Sequence, residues 1–311
     1  MWVYLTGLLI GIVVGSLLPE SGSVLERLIW PLLAMLLYAT FLQVPLLHVR
    51  EAFSDRRFVS AVLTGNFVLM PLVVWALLQF LPDNAPLRLG VLLVLLVPCT
   101  DWFISFTQLG GGDVPRAVAV TPLNLLFQLC LLPVYLWAMT DAQLTAVLSL
   151  GDVAPALLIV LLPLAAAAIS ERWIEAKASR EVLRDTLAWW PIPLLGLVIL
   201  LVAAVQVSTL QAALAWLPWV VPIYVAYLVI AALIARLQAR LWHLPHSQGR
   251  TLAFSLGTRN SFVVLPFALG LPNGWEVAAL VIVVQSLVEL FGMLAYLRWI
   301  PHRLFATNKT G

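Results

Sequence analysis

The sequence predicts an all-α membrane protein of ten transmembrane helices, split into two five-helix halves that insert with opposite orientations. Composition is the first observation behind this. The 311 residues are 62% hydrophobic and 10% charged, with a mean hydropathy of +1.02, whereas about a quarter of residues are charged in soluble domains. Run length is the second: the apolar residues fall in stretches of bilayer-crossing length, and the short alternating segments of a barrel do not occur. The third is that two of these stretches, five helices apart, are interrupted in the same way.

Taken in order, the spans are 2–18, 27–47, 58–81, 87–109, 115–139, 152–170, 186–205, 212–237, 250–271 and 275–299. The first lacks a basic leader and a small-residue cleavage site, so it reads as a retained span rather than a signal peptide. Its Gly7, Gly11 and Gly15 recur every four residues and invite another helix to approach closely. The second and third are plain apolar runs. The fourth contains VPCTDWFISFTQLGGGD, Val97 to Asp113, which places Pro98 and Asp101 deep in an apolar stretch. A proline removes a backbone donor, and a carboxylate near the bilayer midplane costs about 2.5 kcal/mol or more. A chain accepts both within four residues where the helix is broken to bind something. Gly110 to Gly112 with Asp113 then form a tight turn.

The fifth span carries Asn124 and Gln128, four apart on one face. The sixth, seventh and eighth are apolar again. The ninth, LGTRNSFVVLPFALG from Leu256 to Gly270, answers the fourth: a slide of 159 positions sets Pro98 against Gly257, Asp101 against Asn260 and Phe103 against Phe262. The tenth answers the fifth, with Gln285 and Glu289 as its polar pair. Residues 1–140 and 141–311 are therefore read as two repeats within one membrane domain. Paired discontinuous helices at equivalent positions mark a midplane binding site in secondary transporters, where freed carbonyls and half-helix ends hold ions.

Orientation follows from the basic residues. Arg50, Arg56, Arg57, Arg116, Arg172, Lys177, Arg180, Arg184, Arg236, Arg240, Arg250, Arg298, Arg303 and Lys309 fall on one side, and Arg27 and Arg88 on the other. Both termini are thus expected in the cytoplasm, with the chain in a plasma (inner) membrane. The net charge of +2 reflects this bias, and no basic stripe interleaved with aromatics points to nucleic acid. Cys99 and Cys130 both lie in spans and make no disulfide framework. No cofactor and no resident metal is expected.

Several residues could carry chemistry. Asp101 reads as a proton carrier or cation ligand, or as the cap of the half-helix after Pro98. Arg259 cannot be deprotonated; it could pair with Asp101, clamp an anionic substrate, or snorkel to water. Glu289 is a second proton or cation site, or an acid kept neutral by its polar neighbours. Asn124 and Gln128 line the same cavity or serve as interhelical glue. Cys99 binds a thiophilic species or packs, and Cys130 packs.

The pattern PCTDWFISFTQLGGGD resembles the bile acid:sodium symporter superfamily, most closely its arsenite permease branch. Cys99 and Thr100, then Gly111, Gly112 and Asp113, match that branch, and Gly257, Thr258 and Asn260 resemble the second broken-helix motif. The resemblance implies ten helices, cytoplasmic termini, and two inverted repeats whose broken fourth and ninth helices cross. Taken with the reading of the residues above, it gives a candidate substrate site at Cys99, Thr100, Asp101, Arg259 and Asn260, with candidate ion or proton coupling at Asp101, Asn124, Gln128, Gln285 and Glu289. Three positions depart from the pattern. Val263 stands where arsenite permeases have a glutamate, and Ser255 and Arg259 stand where sodium-coupled members have a glutamate and a glutamine. A lost carboxylate and an added fixed cation weaken a sodium site, which favours a proton as coupling ion.

The expected function is secondary active transport of a small solute, arsenite or a related oxyanion exported against protons. A sodium- or proton-coupled carrier of a small organic anion is the alternative, and a non-transporting sensor or scaffold is the reading from another class. The Gly-Gly-Gly-Asp at 110–113 also matches an intramembrane aspartyl protease motif, but Asp101 lies about 18 Å along the same helix from Asp113 and cannot meet it. No enzyme is expected.

Overall fold

The computed structural model describes residues 2–17, 22–48, 55–100, 102–140, 150–205 and 214–306. Every regular element among them is helical. In chain order these are α1 (Trp2–Leu17), α2 (Gly22–Phe41), α3 (Arg56–Leu78), α4 (Ala85–Leu96), α5 (Trp102–Leu109), α6 (Val114–Met139), α7 (Leu150–Glu175), α8 (Glu181–Leu187), α9 (Pro191–Val205), α10 (Leu217–Leu241), α11 (His246–Gly257), α12 (Ser261–Leu269) and α13 (Glu276–Trp299). Six of them, α2, α3, α6, α7, α10 and α13, contain stretches long and apolar enough to cross a bilayer, and α1, α4 and α9 contain shorter apolar stretches. The protein is a multi-pass helical membrane protein.

Prolines correct several expected boundaries. The second helix stops at Phe41 instead of 47, because Pro45 disfavours helical geometry in the residue before it, and only a 3-10 turn, Leu46–His48, follows. The run expected over 186–205 divides into α8 and α9, with Pro191 opening the second. Within α3, Gly65–Leu69 form a π turn. Pro71 has no N–H to give the Phe67 carbonyl one turn back, and the Tyr135 hydroxyl of α6 donates to it instead at 2.5 Å.

The glycines of α1 meet α9. A Cβ at Gly7, Gly11 or Gly15 would lie 2.5, 2.3 or 2.1 Å from the carbonyl oxygens of Gly196, Leu200 and Ala204. Only hydrogen side chains allow that approach. α2 packs on α9 and α7, while α10, α11, α13 and α4 form a second contiguous group, joined to the first chiefly through α12 against α2 and α7. Both α11 and α12 are buried along almost their whole length. Cys130, expected to pack, is exposed on α6.

Candidate functional site

The two breaks meet. Val97 is extended (φ −106°, ψ 107°), as a residue before proline prefers, and Thr258 is extended as well (φ −101°, ψ 142°). Pro98 and Arg259 face each other as an antiparallel bridge. Cys99 donates its N–H to the Thr258 carbonyl at 3.2 Å, and Asn260 donates to the Val97 carbonyl at 2.8 Å. Each unwound segment thereby satisfies the other's backbone, which lipid could not do. The second break has no proline at its centre. Gly257 ends α11 pressed against Tyr296, where a Cβ would fall 2.6 Å from the ring. The helices resume at Trp102 and Ser261, 261 − 102 = 159 residues apart, the offset found in the sequence.

Asn260 holds the crossing from both sides. Its Oδ1 accepts from the Val263 N–H at 3.3 Å and so caps α12, while its Nδ2 donates to the Thr100 hydroxyl at 3.1 Å. Asp101 lies outside the described residues, so its expected pairing with Arg259 does too.

Arg259 is fully buried, at 0% exposure, which overturns the snorkelling expectation. Its Nη2 donates to Asn66 Oδ1 at 2.8 Å, the Leu256 carbonyl at 2.7 Å and the Ser255 carbonyl at 3.2 Å; its Nη1 donates to the Leu95 carbonyl at 3.3 Å. The guanidinium carbon lies 5.3 Å from the centre of the Tyr227 ring, within cation–π range. These carbonyls are available for a reason. The N–H of Cys99, which would have closed the helical bond to Leu95, goes to Thr258, and the Arg259 N–H, which would have gone to Ser255, donates to Glu289 Oε2 at 2.8 Å.

The sequence reading missed Asn66. It sits in the π turn of α3, at 0% exposure, and donates to Ser255 Oγ at 3.1 Å besides accepting from Arg259. A buried amide in an otherwise apolar span, five residues before a proline, was the available signal. Glu289 also takes the Gln285 side chain at 2.7 Å, and Gln285 accepts from Ser261 at 2.9 Å. The expected polar pair of α13 is thus wired to both the break and the start of α12.

Asn124 and Gln128 behave differently. Both are buried, at 0% and 2% exposure, and none of their four side-chain nitrogens and oxygens has a hydrogen-bond partner among the described residues. The glue reading fails for both. Buried amides left this way need water or a polar ligand. Cys99 is enclosed at 0% exposure beside the bridge.

A cavity of about 510 Å³ opens where α5 and α12 begin. Trp102 and Phe106 of α5, Phe262 of α12 and Ile192 and Leu195 of α9 make apolar walls, while Ser105, Thr40 and Gln43 supply polar groups. Thr40 Oγ1 and Gln43 Nε2 have no hydrogen-bond partner among the described residues. Among the described residues no Asp, Glu, Lys or Arg lines the cavity, and neither does Cys99. Its size suits a small organic ligand.

At the basic end of the bundle, Gly111 turns with φ +64°. Asp113 caps α6 through the Arg116 N–H at 3.2 Å and pairs with its guanidinium at 2.6 Å, and Arg116 bonds Asp55 at 2.7 Å. Asp113 is thus a structural residue of this turn.

Helices that cross a bilayer, two of them interrupted and joined at their breaks beside a cavity, define a protein of the solute-carrier class. The chain belongs to the Sodium Bile acid symporter family, whose model matches residues 30–213, more than half of it. The match includes the first break and ends before the second. Comparison with curated proteins gives no match. Members of this family are transporters, and the family's coupling ion is sodium.

Proposed function

We propose that this protein is a secondary active transporter of a small amphipathic organic acid. The observation that carries the reading is the cavity at the starts of α5 and α12. Its walls are apolar and aromatic, its polar groups among the described residues are neutral, and it is lined by first-turn residues of two helices. Helix starts present unsatisfied N–H groups and partial positive charge, which favour a carboxylate without a fixed cation in the cavity. The apolar body of the solute then rests against Trp102, Phe106 and Phe262.

In this reading the chain crosses an inner membrane ten times as two inverted repeats, 1–140 and 141–311, with both termini cytoplasmic. The cavity faces the cytoplasm, since Ala188 and Pro191 on its rim adjoin the segment that carries Lys177, Arg180 and, in α8, Arg184. Thr100, Asp101 and Asn260 flank the solute path at the crossing. Glu289, with Gln285, is the coupling group, and a proton is the ion we assign to it. Asn124 and Gln128 line a hydrated branch of the same path. Export of arsenite would call on the Cys99 thiol, which does not reach the cavity; nothing in the site favours that soft ligand over an organic acid.

The test is counterflow and gradient-driven uptake in proteoliposomes. Radiolabelled aliphatic and aromatic carboxylates are expected to exchange, with arsenite as comparison. Uptake of arsenite alone, dependent on Cys99, would replace the organic acid; no flux of any of them would favour a sensor or scaffold.

A further inference from the structure

The oxygens around Arg259 form a cation cage. Leu95 lies in the last turn of α4, and Ser255 and Leu256 lie in the last turn of α11. Their carbonyls therefore belong to the two helix ends that carry partial negative charge. Asn66 Oδ1 completes a set of four neutral oxygens on the two terminal nitrogens of the guanidinium. Among the described residues no carboxylate oxygen belongs to this set; Glu289 accepts from the backbone N–H of Arg259.

Carbonyl and amide oxygens converging at the C-terminal ends of broken helices are the donor set of a small monovalent cation. They are hard, neutral ligands, suited to an ion that has shed its water. Here that place is filled by a charged group on the chain itself. It is permanently charged, fully enclosed and supplied by the same unwound segment that builds the crossing, so it cannot leave while the fold persists.

We infer that Arg259 is a tethered cation occupying a monovalent-cation site, and that shortening it to a neutral residue turns the cage into a sodium site the native protein does not use. Replacing the guanidinium by an apolar or shorter group leaves four inward-facing oxygens without donors in a space the size of the lost group. Water or a cation must then enter. The native protein instead carries its charge at the crossing in every state, and any mobile coupling ion binds elsewhere.

Thermal unfolding of purified protein, with sodium chloride exchanged for choline chloride at constant ionic strength, tests this. The wild type and Arg259→Lys are expected to show the same midpoint in both salts. Arg259→Gln should be less stable in choline and regain stability saturably with sodium, and adding Asn66→Leu to it should abolish that response. Equal sodium responses of wild type and Arg259→Gln would overturn the inference. If Arg259→Gln does not accumulate, the wild type decides the matter: a saturable sodium response removed by Asn66→Leu overturns it, and a midpoint indifferent to the exchange upholds it. The assay reads ion occupancy rather than flux, so its failure leaves the transport reading standing and the converse also holds.

Discussion

The N–H of Asn260 donates to the carbonyl of Val97 at 2.8 Å, although the two residues lie in helices that the chain builds more than 160 positions apart. This bond and its counterpart from Cys99 join the two interruptions into one unit. Asn260 adds a cap on α12 and a bond to Thr100. Asn260→Leu removes both while keeping the backbone bond. Loss of an N-cap costs about 1 kcal/mol, so the variant should fold with a modestly lowered midpoint. Its counterflow should fall by at least tenfold, because the start of α12 no longer holds its direction. Unchanged counterflow would show that Asn260 serves stability alone.

Asn124 and Gln128 invite the opposite test. Amides without protein partners gain little from being polar unless something wets them, and apolar replacements of similar shape are close to neutral for stability. Asn124→Leu and Gln128→Leu are expected to shift unfolding by less than about 1 kcal/mol and to reduce gradient-driven uptake severalfold. A large loss of stability with normal uptake would identify them as structural.

Glu289 accepts from the Arg259 backbone and from Gln285. Glu289→Gln keeps the shape and removes the charge. Uptake driven by a pH gradient should vanish, while exchange without a gradient continues. Measuring both on one proteoliposome preparation separates coupling from passage, and retention of the pH-driven component would move the proton elsewhere.

Gly11→Leu should be strongly damaging in α1. Even the first carbon would fall 2.3 Å from the Leu200 carbonyl, so α1 and α9 must separate. Overpacking of this kind costs about 1–3 kcal/mol. Yield and midpoint in detergent are expected to fall together, whereas Val13→Leu, on the exposed face of α1, should do neither.

Asp55 sets an acid limit. Burial pushes its carboxyl up, but hydrogen bonds from the Phe58 N–H, from Arg116 and from Gln248, with the charge of Arg116, outweigh that and hold it below the ordinary carboxylate range. Its folded-state value is depressed, so its contribution is present above the unfolded value of about 3.9 and is lost as pH falls through the folded value. The wild-type midpoint should therefore drop more steeply than that of Asp55→Asn on acidification below about pH 4, with the two profiles parallel near neutrality.

Much of this arrangement was legible in the residues. Pro98 announced the first break, and the 159-residue offset located the second, although there a backbone bond to Glu289 replaces the helical one where no proline does. Gly7, Gly11 and Gly15 predicted a close neighbour without saying that it is α9. Arg259 was conspicuous as a cation inside a span, yet its surroundings were not. They consist of carbonyls that become acceptors only once both helices unwind, and of Asn66, whose direction depends on a π turn that no periodicity encodes. Helix ends were misjudged wherever proline, rather than hydropathy, sets them, as at Pro45 and Pro191.

The enclosure of α11 has a consequence for biogenesis. Its sequence includes Gln248, Thr251, Ser255 and, just beyond its end, Thr258 and Arg259, all of them buried among other helices. Such a segment partitions poorly into lipid by itself. It must be threaded into the membrane beside α10 and await α13, so a released chain ending between Gly270 and Trp275 would leave it accessible to water and to proteases, and only the addition of α13 would seal it.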